Sequence, residues 1–102
     1  IEQQFLQLLS EKLVNNVAFY AEKLHTSSQN LNAICQKYFQ KSASDVIAEW
    51  MIIEIKRQLL YTSKNISTIA FDLNFKDNSN FTKYFKRHTK TTPLQFKKAA
   101  AL

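Results

Sequence analysis

The amino-acid sequence predicts an all-α protein built from two similar parts. The 102 residues include no glycine and a single proline, whereas strands and hairpins usually rely on glycine for their turns. Apolar residues recur at helical spacing in two stretches of the chain, and residue types that cap helix starts recur with them. Hydrophobic residues make up 45% of the chain, which is enough for a buried core.

A leading helix, a short helix and a longer helix form the first part, subdomain one, over about residues 4–42. The leading helix is predicted from about Gln4 to Val14. Asn16 precedes the short helix and Ser27 the longer one, and both side chains can accept a hydrogen bond from a free N–H at a helix start. Each of these two helices has apolar residues at i, i+3, i+4 and i+7, which share one face. We expect these faces to be buried: Val17, Tyr20, Ala21 and Leu24, then Leu31, Ile34, Cys35 and Tyr38.

A longer helix is predicted next, from about Ser44 to Tyr61, as a linker between the two parts. Ser42 precedes it as a capping residue. The helix is rich in apolar residues, and Trp50 is expected to belong to the core and not to stack on a ligand. The apolar residues are Val46, Ile47, Trp50, Ile53 and Leu60.

Subdomain two, about residues 65–98, repeats the pattern of subdomain one at an offset of 49 and then 50 residues. Asn65 and Asp77 precede its two helices, and Thr92 opens a third with Pro93 at its first position and Gln95 three residues after the cap. The apolar set is Ile66, Ile69, Ala70, Leu73, Phe81, Tyr84, Phe85 and His88. A short helix, a tight turn and a longer helix form a helix-turn-helix, so residues 1–102 are predicted to be one domain with two such subdomains.

The net charge of +6 is concentrated in the second part of the chain. Residues 1–63 contain six Lys or Arg and six Asp or Glu, whereas residues 64–102 contain eight bases and two acids. A basic region indicates an anionic partner, either nucleic acid or membrane. No apolar run approaches the length of a membrane span and no signal peptide is recognisable, so we expect a cytoplasmic protein without a membrane partner.

The second helix of each subdomain leaves a polar, acid-poor set of residues for solvent. Asn and Gln can pair with adenine in the major groove and Lys can reach guanine, so double-stranded DNA is the expected partner. Bases and hydroxyls at the flanks are suited to phosphate contacts, which fix the register. The residues expected to contact phosphate are Ser28, Gln36, Lys37, Thr82, Lys86 and Arg87.

The stretch ISTIAFDLNFKDNSNFTKYFKRHTKTTPLQF, from Ile66 to Phe96, resembles the DNA-binding domain of AraC/XylS-type transcription regulators. The resemblance extends over about Val17 to Lys98. It implies about seven helices and two recognition helices in successive major grooves. It also implies a preceding sensory or dimerisation domain, and RNA polymerase as a candidate partner. The residues expected to face bases are Gln29, Asn32, Ala33, Asn78, Ser79, Asn80 and Lys83.

The chain departs from the family pattern at several positions. Asn74, Gln40 and Lys90 stand where the family usually has glycine, so their backbone is expected to be strained or built differently. Ala33 replaces a larger polar or basic residue, and its methyl group can only touch thymine. Subdomain one is therefore expected to read fewer bases.

Three other functions compete with DNA binding as explanations of the sequence. A helical protein-interaction module could offer its basic face to an acidic partner, and RNA binding is compatible with the charge alone. An enzyme is disfavoured because His25, His88 and Cys35 are isolated in the sequence. No catalytic residue, metal ligand or cofactor is therefore expected.

Overall fold

The computed structural model describes residues 1–101, and it contains seven α-helices there. They are α1 (Glu2–Glu11), α2 (Val17–Lys23), α3 (Ser28–Phe39), α4 (Ala43–Tyr61), α5 (Ile66–Asp72), α6 (Asn78–Thr89) and α7 (Pro93–Ala100). The predicted all-α fold is confirmed. No helix within the described range is both long and apolar enough to cross a membrane.

The predicted capping residues begin the helices as expected. Thr92 forms a full capping box, because its Oγ1 accepts from the backbone N–H of Gln95 while the Gln95 side chain accepts from the backbone N–H of Thr92, each at 3.1 Å. Pro93 follows at the first helical position, where its missing N–H would have had no partner within the helix. The other five caps each accept from a backbone N–H three residues on: Asn16, Ser27, Ser42, Asn65 and Asp77.

The chain divides into two compact units, and the division lies inside α4. Unit 1 is Ile1–Met51, and unit 2 begins at Ile52. The first half of the predicted linker helix therefore belongs to unit 1 and the second half to unit 2.

The core of unit 1 combines residues from α1, α2, α3 and the start of α4. Phe5 and Tyr20 meet edge to face, with ring centroids 5.4 Å apart. Trp50 is half-buried and packs against this core, as predicted. The core residues are Phe5, Leu9, Tyr20, Ala21, Leu31, Cys35, Ala43, Val46 and Ile47.

Unit 2 is built on the same plan. Ile55 and Leu59 of α4 are buried and lie 50 residues after the buried Phe5 and Leu9 of α1. The duplication therefore includes the leading helix as well as the helix-turn-helix. Phe75, in the turn before α6, contacts Phe81 edge to face, with ring centroids 5.2 Å apart. The other buried apolar residues are Ile69, Ala70, Leu73, Tyr84 and Phe85.

Two predicted core positions are wrong. Tyr38 is 49% exposed, and His88 is also exposed. Each lies in the last turn of its helix, after the residues that fill the core of the unit. His88 instead lies against the ring of Tyr84, with centroids 4.7 Å apart.

The apolar residues of α4 are not all buried either. Ile53 is 69% exposed and Leu60 is 41% exposed, whereas Val46 and Ile47 are in the core.

Candidate nucleic-acid interface

Helix α6 separates a buried apolar face from an exposed polar one. Phe81 and Phe85 are fully buried and anchor the helix in unit 2. Ser79, Lys83 and Lys86 stand at i, i+4 and i+7 on the opposite side, and all three are exposed. Asp77 caps the first turn by accepting from the N–H of Asn80 at 2.8 Å. The helix is thus held rigidly by its anchors while its polar side faces solvent.

Helix α3 of unit 1 has the same geometry with different side chains. Leu31 and Cys35 are its fully buried anchors, and burial raises the pKa of the Cys35 thiol, so this cysteine remains a neutral core residue. The residues 50 positions before Ser79, Lys83 and Lys86 are Gln29, Ala33 and Gln36, and they are exposed. Unit 1 therefore presents a neutral face where unit 2 presents two lysines.

Aromatic rings hold the basic side chains at the ends of both helices. The guanidinium carbon of Arg87 is 5.6 Å from the centroid of the Tyr84 ring, and its Nη2 is 3.4 Å from Nε2 of His88. At the equivalent place in α3, Nζ of Lys37 is 5.3 Å from the centroid of the Tyr38 ring. Cation–π contacts of this kind orient a cation without neutralising its charge.

Four cations of α3 and α6 form no ion pair within the described residues, and a weak electrostatic attraction links one of them, Lys37, to Glu2. Among residues 1–101, no ion pair involves Lys37, Lys83, Lys86 or Arg87. By contrast, three bases elsewhere are paired: Lys41 with Glu49, Arg57 with Glu54 at 2.6 Å, and Lys64 with Asp72 at 2.8 Å. The four free cations are therefore available to an external anion.

The two units differ strongly in charge. Unit 1 contains four Lys or Arg and five Asp or Glu, a net charge of −1. Unit 2 contains ten Lys or Arg and three Asp or Glu, a net charge of +7, and the two sum to the +6 of the chain. Unit 2 therefore has the stronger electrostatic attraction for anions.

Two of the asparagines expected to face bases have partners within their own unit. Nδ2 of Asn78 donates to Oγ of Ser67 at 2.7 Å, which ties α6 to α5. Oδ1 of Asn32 accepts from the backbone N–H of Ala43 at 2.9 Å, which ties α3 to the start of α4. Thr82 is half-buried, while every other residue expected to contact DNA is exposed.

Sequence reasoning missed the internal contacts of Asn32 and Asn78, because their partners lie 11 residues away along the chain. It also passed over Lys76, an exposed base in the turn that precedes the cap of α6. Lys76 lies next to a helix N-terminus, where anions bind readily, and this position could have indicated it from the sequence. No group of three or more potential metal ligands occurs within residues 1–101.

Comparisons with known proteins agree with the helix-turn-helix fold. A family model described as "Helix-turn-helix domain" matches residues 20–99. No curated protein matches the chain. Several solved structures do, all at low sequence identity.

One is the C-terminal domain of the two-component response regulator yesN from Fusobacterium nucleatum, with 24% identity, a TM-score of 0.82, and coverage of 94% of this chain and 96% of that chain. Another is a transcriptional regulator with an AraC-type DNA-binding domain from Chromobacterium violaceum, with 19% identity, a TM-score of 0.78, and coverage of 97% and 90%. A third is the DNA-binding domain of AdpA, a global transcriptional factor, solved with a target DNA, with 12% identity, a TM-score of 0.80, and coverage of 95% and 89%.

At these identities the solved structures establish the shared fold, and the family model establishes the relationship. The chain belongs to the helix-turn-helix family as an AraC-type domain, and its function is DNA-binding transcription regulation.

Proposed function

We propose that α3 and α6 are the recognition helices and that each reads base edges in a major groove. The observation that carries the proposal is the repeated geometry: the same three positions of each helix are exposed directly opposite two fully buried anchors. The proposed base-contacting residues are Gln29, Ala33, Asn78, Ser79, Asn80 and Lys83, and the part played by Asn32 on the same helix is developed below.

Phosphate contacts would fix the register of the two helices. The bases at the ends of α3 and α6 lack acidic partners, so their charge can be neutralised by the DNA backbone. The proposed phosphate-contacting residues are Ser28, Gln36, Lys37, Thr82, Lys86 and Arg87.

The resemblance to AraC-type regulators supports a wider role for the domain. In this proposal it is the output module of a longer cytoplasmic regulator whose sensory domain controls it, with RNA polymerase as a further partner on the DNA. The domain binds DNA without a catalytic step or cofactor of its own.

The salt dependence of duplex binding tests the proposal. We expect roughly four to six phosphates to be neutralised, which gives a slope of log K against log salt of about −4 to −5. The affinity should also depend on base sequence, which selection from a random duplex pool measures. A protein-interaction module with a basic face would show no preference among duplexes, and a salt-independent affinity would rule out the DNA-binding surface.

A matched pair of arginine substitutions locates the surface. Arg87→Ala should weaken binding to every duplex by a similar factor and make the salt slope less negative by about one, and Lys86→Ala should do the same. Arg57→Ala is the control, because Arg57 is already bound by Glu54 through bonds of 2.8 and 2.6 Å. Equal effects of Arg57→Ala and Arg87→Ala would place the DNA elsewhere.

A further inference from the structure

Helix α4 begins inside the core of unit 1, and the side chain of Asn32 accepts a hydrogen bond from its first backbone N–H. Ala43 is the first residue of α4 and is 1% exposed. A backbone N–H at this position has no partner within the helix, and leaving it unpaired in a buried place is costly. Oδ1 of Asn32 accepts its hydrogen at 2.9 Å. Ser42 does not replace this bond, because its Oγ accepts from the N–H of Asp45.

Unit 2 has no N–H to satisfy at the equivalent place, because a proline stands there. The residue 50 positions after Ala43 is Pro93, which is buried at the first position of α7. Proline has no N–H, so nothing at the start of α7 requires an acceptor from α6. The residue 50 positions after Asn32 is Thr82, and no bond joins its side chain to α7 in the described part of unit 2. Unit 1 thus has an N–H at the start of α4 and an acceptor for it, whereas unit 2 has neither at the equivalent positions.

We propose that Asn32 is a positioning residue that fixes the recognition helix α3 against the start of α4, and that it does not read a base. Bidentate recognition of adenine needs the amide oxygen together with the amide N–H, and here the oxygen is directed at the backbone of α4. The inference rests on the proposed function, in which α3 enters a major groove. Within α3, base reading then falls to Gln29 and Ala33, while Thr82 of α6 is released for phosphate contact.

A stability cycle tests the positioning role without DNA. Asn32→Ala should raise the unfolding equilibrium constant by roughly 2- to 30-fold, the usual effect of losing a cap. Ala43→Pro removes the N–H and is compatible with the first helical position. In the Ala43→Pro background, Asn32→Ala should therefore leave stability unchanged. An undiminished loss in that background would show that the bond to Ala43 is not what Asn32 contributes.

The reverse exchange in unit 2 provides the matched control. Pro93→Ala creates a buried N–H without an acceptor and should destabilise the protein. Thr82→Asn should then recover part of the lost stability in the Pro93→Ala background and give no gain in the wild-type background. Failure of Thr82→Asn to distinguish the two backgrounds would contradict the exchange of roles between the units.

Binding to a panel of duplexes that differ by single base pairs separates positioning from reading. Asn32→Ala should weaken binding to all of them by one common factor, so the ratios of affinities stay unchanged, whereas Gln29→Ala should change the ratios at one base pair. A changed ratio for Asn32→Ala would make it a base-reading residue. If the wild-type protein bound no duplex, the proposed function would fail, while the stability cycle would still decide the role of Asn32.

Discussion

Four residues between positions 1 and 101 adopt a left-handed backbone, in a chain that contains no glycine. Gln40 and Lys90 end α3 and α6 with φ of 57° and 68°, and His25 and Asn74 lie in the two helix-turn-helix turns with φ of 55° and 66°. Non-glycine side chains are strained in this region because Cβ approaches the following carbonyl oxygen. The sequence indicated three of these positions through the glycines of the family pattern. It did not indicate His25, which lies 49 residues before Asn74 and has the same backbone conformation.

Replacing the left-handed residues by glycine should stabilise the protein. For Lys90→Gly and Gln40→Gly we expect a gain on the order of 1 kcal/mol in the free energy of unfolding, despite the extra entropy of glycine in the unfolded chain. Lys83→Gly is the control in the same helix, and it should cost about 1 kcal/mol because residue 83 is helical. Thermal or urea unfolding measures all three. A loss at Lys90 comparable to that at Lys83 would mean that the left-handed end carries no strain.

At the scale of the element, α4 is two helices of the repeat joined end to end. Ala43 begins it as Pro93 begins α7, and Ile55 and Leu59 continue it as Phe5 and Leu9 do in α1. The apolar pattern predicts the whole of α4, but only as a linker helix. Periodicity shows that a helix continues, and it does not show which core each half of the helix enters. The capping signals were more decisive, since each depends on a residue three positions away and involves no long-range contact.

The hydroxyl of Tyr20 bonds twice to the segment between α1 and α2, and its removal gives a second prediction. The Tyr20 hydroxyl accepts from the N–H of Val14 and donates to the carbonyl of Lys12, each at 2.8 Å. Tyr20→Phe should cost about 1–3 kcal/mol, because two backbone groups lose their partner. Tyr61→Phe is the control, since Tyr61 is 79% exposed, and it should change stability little.

The contribution of Tyr20 to stability should change in a defined direction at alkaline pH. Burial raises the pKa of Tyr20 above its usual value of 10.0. The folded state then favours the protonated hydroxyl, so the contribution of Tyr20 is complete below the unfolded pKa and declines as pH rises through the folded pKa. The stability difference between wild type and Tyr20→Phe should therefore shrink above pH 10. A difference that grew with pH would mean that the folded protein prefers the ionised phenol.

At the scale of the whole molecule, the two units differ in the positive charge that they can offer to DNA. Unit 2 carries a net charge of +7 and unit 1 of −1. Counting residues along the chain was enough to find this asymmetry. Which amides already form hydrogen bonds within the protein could not be read from composition, since the contacts of Asn32 and Asn78 arise only in the fold. Because of its net charge of +7, unit 2 is expected to supply most of the salt-dependent affinity.

The tandem arrangement predicts a DNA site of two unlike boxes. The units are copies within one chain, α4 runs from one into the other, and their exposed positions differ: Gln29 and Ala33 in α3 against Ser79 and Lys83 in α6. A single chain should therefore prefer a non-palindromic site whose boxes lie about 10 base pairs apart, one turn of the duplex. Lys83→Ala should relax the preference in one box, and Gln29→Ala in the other.

Changing the spacing between the boxes tests whether both units bind at once. Five base pairs inserted there turn one box by about half a turn to the far side of the duplex, so affinity should fall towards that of a single box. The same five base pairs inserted outside the boxes should have no effect, which controls for length and composition. Lys83→Ala and Gln29→Ala, measured on both duplexes, identify the box that is still read. Full affinity after the internal insertion would mean that only one helix-turn-helix enters a groove, and the second would then need another role.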